Sequence, residues 1–171
     1  MSDSTDSTGR AYVVVGVFPG QPDRVVQEAV RFAERFDAEL VCAHVDQGRY
    51  AISELADGTV TSLPFDPDIP DLLQEEFDVK LLQELTEVLA GTGVPWSVRA
   101  LAGDPADALA QLAGTLPATM IVVGSRRPGL RGGVHEFIAG SVAAHLAHRQ
   151  GLPVVVIPLS PVAAGSALPW E

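Results

Sequence analysis

Apolar positions along this chain follow two rhythms in alternation. Ala11 to Val17 (AYVVVGV) is a short continuous apolar run rich in β-branched residues, as expected for a strand buried on both faces. Phe18 to Asp23 (FPGQPD) is a turn cluster. From Pro22 to Phe36, the residues Val26, Ala29, Val30, Ala33 and Phe36 recur at helical spacing. Asp37 breaks that pattern, and Ala38 to Val45 (AELVCAHV) reads as a second buried strand. Strand, helix and strand in so short a span make a βαβ unit, whose crossover is right-handed and whose strands are parallel.

Residues 46–70 keep no sustained period and contain Gly48, Gly58, Pro64, Pro67 and Pro70, so a long loop is expected there. It is acidic, with Asp46, Glu54, Asp57, Asp66 and Asp68, and the acidity continues through Asp71, Glu75, Glu76 and Asp78. Two readings of this acidic loop, 46–78, stand side by side: a solvated connection, or a lid or partner surface. Asp71 to Leu89 is expected to be a helix with Leu72, Leu73, Phe77, Leu81, Leu82, Leu85 and Leu89 on its apolar stripe, ended by Gly91-Thr-Gly93.

A second half repeats the alternation. Trp96 to Leu101 suggests a strand with one face less buried. Asp104 is placed to cap the next helix and Pro105 suits its first position; that helix runs to about Ala113. Thr119 to Val123 is a strand, residues 124–133 a glycine-rich loop, Phe137 to Arg149 a helix closed by Gly151, and Pro153 to Ile157 the last strand. Five strands and four helices in strict alternation predict an α/β fold: a single doubly wound five-stranded parallel sheet with helices on both faces, in the order 3-2-1-4-5. In such a sheet the winding reverses between the first and fourth strands. The loops after Val17 and Val123 should therefore face each other across one crevice.

Composition narrows the function. The chain has 171 residues, 47% hydrophobic and 19% charged, with a net charge of −11. So acidic a surface disfavours nucleic acid. The single cysteine, Cys42, excludes an internal disulfide and a cysteine-built zinc site, and its place inside an apolar run predicts a buried, inert thiol. No apolar run approaches the ~20 residues that cross a bilayer, and the polar, acidic start is unlike a secretory signal, so a cytoplasmic protein is expected.

The basic residues are concentrated where the chemistry should be. Between the fourth strand and the last helix lie Gly124, Ser125, Arg126, Arg127, Gly129 and Arg131, and then Gly140, Ser141 and Val142. Glycines let backbone N–H groups approach an oxyanion, a helix start adds unpaired N–H groups, and arginines supply charge-assisted donors. A phosphate site is one reading. A loop whose arginines pair with the acidic surface is the other. His145 and His148 lie three apart with no third ligand near in sequence, so no metal site is assigned. No Ser-His-Asp spacing or nucleophile elbow is present.

The order Val122-Val-Gly-Ser-Arg126, Gly140-Ser-Val142 and His148-Arg-Gln-Gly-Leu-Pro-Val-Val-Val-Ile157 resembles the C-terminal signature of the universal stress protein family. Val13 to Val17, Ala38 to Val45 and Gly103 to Ala106 are similar to its first strand, second strand and third-helix start. The resemblance runs from 11 to 158. It leaves residues 1–10 as a disordered arm and 159–171 as a C-terminal tail. It implies the adenine nucleotide alpha hydrolase-like, flavodoxin-like sheet and a homodimer paired through the last strand, Pro153 to Ile157. No general catalytic activity comes with it, and some members bind ATP. Nucleotide-binding members carry Gly-x2-Gly-x9-Gly-Ser/Thr. Here Gly124 and Gly140 are three residues further apart than that pattern gives, Arg127 stands at the second glycine, and Gly129 is the nearest substitute. Such members also carry an aspartate at the end of the first strand, where this chain has Phe18 or Pro19. The base pocket then falls to Val17, Phe18 and Val45. Phe18 is expected to fill it, leaving a small-anion site near Gly140 and Ser141; the other reading has Phe18 offering a ring to a purine.

The expected function is a non-catalytic stress-response or regulatory protein with a modified phosphate or adenine-nucleotide site in the loop 124–142. Its ligand would be ATP or another adenine nucleotide, with Mg. An unknown regulatory partner is expected, and neither nucleic acid nor a membrane. The alternatives are an ATP-binding protein with slow hydrolysis, and a ligand-free interaction module that recruits a partner through the acidic loop.

Overall fold

The computed structural model describes residues 10–66, 76–125 and 138–159. A five-stranded parallel sheet is built from β1 (Ala11–Gly16), β2 (Ala38–Asp46), β5 (Trp96–Ala102), β6 (Ala118–Gly124) and β7 (Val154–Ile157), in the spatial order β5-β2-β1-β6-β7. In strand count within this sheet that order is 3-2-1-4-5, as the alternation predicts. Register runs from Ala11↔Ala38 to Gly16↔Ala43 between β1 and β2, and from Tyr12↔Ala118 to Val15↔Val122 between β1 and β6.

Helices cover both faces because the central strands are apolar on both. Val13, Val15, Leu40 and Cys42 pack under α1 (Arg24–Phe36) and α2 (Val79–Leu89), through Val25, Ala29, Leu81 and Leu85. Val14, Val41, Ala43 and Ile121 pack on the other face under α3 (Pro105–Thr115) and α4 (Ile138–Arg149), through Leu109, Leu112, Val142 and Leu146. Pro105 occupies the first turn of α3, and the Asp104 carboxylate accepts the Ala106 and Asp107 N–H groups, both at 3.0 Å.

Two sequence expectations need correction. The stretch read as a long loop contains an antiparallel hairpin, β3 (Arg49–Glu54) and β4 (Val60–Pro64), which forms a separate two-stranded sheet. A register shift between Ala51 and Ser53 breaks the alternation that would have announced it. The second helix begins at Val79, not at Asp71: residues 76–78 are not helical, and 71–75 lie outside the described residues. Of the several acids that precede it, Asp78 is the cap, accepting the Leu81 N–H at 2.7 Å.

The two edges of the main sheet differ. At β5, the Arg99 guanidinium folds over the edge, donating from Nη1 to the Val98 carbonyl and from Nε to the Asp57 carbonyl of the hairpin, both at 2.8 Å. At β7 no strand pairs on the outer side among the described residues, and Val156 is 44% exposed.

Candidate functional site

At the carboxyl ends of β1, β2 and β6 the described residues enclose an open cavity of about 550 Å³. Its walls are the β1 exit from Gly16 to Gln21, the β2 end from Ala43 to Gln47, the β6 end at Val123 and Gly124, Pro105 and Leu109 of α3, and Val142 of α4. This is the predicted switch-point crevice, with the loops after Val17 and Val123 on facing sides. Its volume lies within the roughly 300–1,000 Å³ usual for small-molecule sites.

Backbone polarity at the β2 end follows from the ladder. In a parallel sheet, alternate residues of an inner strand bond to opposite neighbours. Leu40 N–H donates to Pro95 O and Gly103 N–H to Asp46 O, so the even-numbered residues of β2 face β5. Val17 N–H donates to Ala43 O, so Val41, Ala43 and Val45 face β1. The β1–β2 register ends at Gly16↔Ala43. The next acceptor on β1, Val17 O, lies 3.0 Å from His44 Nδ1, which makes Nδ1 the protonated nitrogen of that imidazole. By the same alternation Val45 directs its peptide N–H and C=O to the β1 side, beyond the last β1 rung, and Val45 lines the crevice. The His44 ring meets Phe77 edge-on, 6.3 Å between centroids.

The expected site residues separate into groups. Val17, Phe18, Val45, Gly124 and Val142 all line the cavity. Phe18 does not fill it: the ring is 46% exposed at the rim, and the space beyond it remains open. Phe18 opens a turn in which Gln21 N–H closes onto Phe18 O at 3.1 Å and the Gln21 side chain donates to Gly16 O at 3.3 Å. Gly124 has a packing role: a Cβ there would lie 3.0 Å from Val25 Cγ2 and 3.2 Å from Leu159 Cδ1. Ser125 fastens the end of β7, donating its N–H to Ile157 O at 2.7 Å and accepting Leu159 N–H on Oγ at 2.8 Å. Gly140 and Ser141 fall in the first turn of α4. Arg126, Arg127, Gly129 and Arg131 lie outside the described residues, as do the side chains of Gly140 and Ser141.

Sequence reasoning missed Gln21, His44 and Asp46. A histidine at the end of a buried strand was the available signal for the second of these. Asp46 is the one carboxylate among the described lining residues, and its Oδ1 already accepts the Gly48 N–H at 2.7 Å. Among the described residues no three His, Cys, Asp or Glu side chains gather as a metal site. His145 and His148 are exposed on α4. Cys42 is buried, and burial raises its thiol from an ordinary value near 9.0 to about 12. No helix among the described residues is long and apolar enough to cross a membrane.

Comparisons with known proteins agree with this fold. No curated protein matches the chain. Among solved structures it is similar to a universal stress protein from Archaeoglobus fulgidus, with TM-score 0.59 and 19% identity over 86% of this chain and 98% of that one. It is similar also to a universal stress protein in complex with cAMP, with TM-score 0.57 and 24% identity over 90% and 100%. A third is a universal stress protein family protein from Arabidopsis thaliana with AMP bound, with TM-score 0.50 and 21% identity over 86% and 91%. At these identities the likeness carries the fold. A family model described as universal stress protein family matches residues 11–158, and the chain belongs to that family.

Proposed function

We propose that this chain is a non-catalytic stress-response or regulatory protein that binds an adenine nucleotide in the crevice between β1 and β6. What carries the reading is that Val45, whose peptide the alternation of β2 directs to the β1 side, lines a largely apolar cavity of about 550 Å³. A donor beside an acceptor on one rigid strand matches the edge of adenine, which offers an acceptor ring nitrogen next to an exocyclic amine. A 6-oxopurine reverses both groups, so inosine nucleotides should bind about tenfold more weakly. Relatives solved with cAMP and with AMP support a nucleotide of this class. Phe18, at the rim, offers its ring where an acidic side chain would have offered hydrogen bonds.

In this reading the phosphates extend toward the start of α4, with Gly140, Ser141 and the arginines Arg126, Arg127 and Arg131 as their partners. Magnesium, when bound with those phosphates, would serve as their counter-ion, and Asp46 is the carboxylate on the described wall that could support it. The protein acts as a cytoplasmic homodimer joined along β7.

Titration calorimetry with AMP, IMP and inorganic phosphate tests the assignment. AMP binding that exceeds IMP binding by about tenfold supports it. Absence of heat with AMP, together with a protein-like ratio of absorbance at 260 and 280 nm after gel filtration, overturns it. Phosphate release from ATP, stimulated by magnesium, would move the protein to the slow-hydrolase reading.

A further inference from the structure

Gln21 is the polar side chain that the β1 exit brings to the crevice wall, and it is partly buried there. Its carboxamide has a fixed sense. Nε2 donates to Gly16 O at 3.3 Å, and a carbonyl oxygen accepts only from the nitrogen end of an amide. The same Nε2 would stand 3.4 Å from a Cβ on Gly124, so the amide lies between the ends of β1 and β6. Oε1 is the remaining end, and among the described residues it has no hydrogen-bond partner.

The rest of the β1 exit has little left for a polar ligand. Gly16 O accepts from Gln21 Nε2, Val17 O from His44 Nδ1 and Phe18 O from the Gln21 N–H. The Phe18 ring is apolar, and Pro19 has no N–H. Asp46 and Gln47 stand at the β2 end of the wall, and Asp46 Oδ1 already accepts the Gly48 N–H.

Spatial order decides which part of a nucleotide passes Gln21. β1 lies between β2 and β6. A base held at Val45 on β2, with phosphates at the start of α4, the helix that follows β6, leaves its sugar over the end of β1. An amide oxygen is an acceptor only, so what it recognises is a donor. Ionised phosphate oxygens are acceptors, and the adenine amine is engaged at Val45. The donors left on an adenosine phosphate are its sugar hydroxyls. We propose, resting on the adenine reading of this crevice, that Gln21 Oε1 accepts a ribose hydroxyl and makes the chain selective for ribonucleotides over deoxynucleotides. The carboxamide is neutral, so it sets no carboxylate beside the phosphates, and its bond to Gly16 O holds it in place before the ligand arrives.

Titration calorimetry of the full chain with AMP, 2′-deoxy-AMP and 3′-deoxy-AMP provides the test. In the parent, one of the deoxy analogues should bind about tenfold more weakly than AMP, the worth of one hydrogen bond. In Gln21→Ala the AMP affinity should fall by about the same factor while that of the weaker analogue holds, so the gap closes. Gln21→Met keeps the length of the side chain and gives the same comparison should Gln21→Ala fail to fold. A residue that only shapes the turn would lower the affinity for AMP and both analogues alike and keep the gap, and that result overturns the proposal. Equal binding of AMP and both analogues by the parent overturns it as well, yet leaves the adenine reading standing wherever AMP still exceeds IMP. Absence of heat with AMP removes both.

Discussion

His44 Nδ1 and the Val17 carbonyl oxygen stand 3.0 Å apart, and this one contact closes the β1–β2 ladder. Without it, Val17 O would be free to accept the Val45 N–H and extend the ladder by a rung. His44→Phe keeps a ring against Phe77 and removes the donor. That change should cost about 1 kcal/mol of stability, as for the loss of one net hydrogen bond. It should also lower AMP affinity, because the Val45 N–H gains a protein partner. Urea denaturation and calorimetry read the two effects separately, and an unchanged AMP affinity would show that Val45 is not the contact.

Phe18 touches the crevice from its rim, so Phe18→Ala should leave stability within about 0.5 kcal/mol. If the ring packs on a base, the loss is about 1–3 kcal/mol of binding. AMP and IMP should suffer alike, since stacking does not read the purine edge. Their affinity ratio, measured in the variant and the parent, is the quantity to compare. A tighter complex in the variant would mean that the ring obstructs the opening.

Cys42 ties stability to alkaline pH. Its folded thiol is raised to about 12 from near 9.0, so folding favours the protonated form. The stabilisation is complete below pH 9 and is lost as pH rises from there through 12, because the unfolded chain ionises first. Cys42→Ala should flatten that part of the stability curve. In the folded parent at pH 8, a thiol reagent should react only as fast as the chain opens.

Val156 probes assembly. Placing a lysine at this exposed position on the outer edge of β7 sets two like charges against each other across a two-fold contact. Val156→Lys should elute as a monomer under conditions where the parent is a dimer, with the same circular dichroism. A monomeric parent in light scattering at micromolar concentration would remove the proposed homodimer.

Much of the sheet was legible because its signals are local. Val13 to Val17 and Ala38 to Val45 are apolar runs that no solvent-facing element would carry, and Asp104-Pro105 announces a helix start by chemistry that acts within one turn. The hairpin escaped because its period is interrupted at Ile52 and two of its buried members, Arg49 and Ser62, are polar residues bonded to each other. The position of the crevice was legible from winding order alone, and Val17, Phe18, Val45, Gly124 and Val142 were named for it. Its openness was not, because the residue types of the turn after Val17 do not say whether the Phe18 ring lies inside the crevice or stays 46% exposed. His44 was passed over because a lone histidine at a strand end gives no sign of the carbonyl it will meet across the sheet.

The guanidinium of Arg99 has a consequence for how many molecules can join. It covers the outer carbonyl of Val98, and the hairpin to which it is bonded stands beside the same strand. Of the two edges of the main sheet, β5 is capped by Arg99, and β7 has no strand on its outer side among the described residues. A sheet with one usable edge can be extended by a neighbour only once. If copies join through β7, strand-to-strand growth stops at two, and that contact gives a chain this rich in valine strands no route to a fibre.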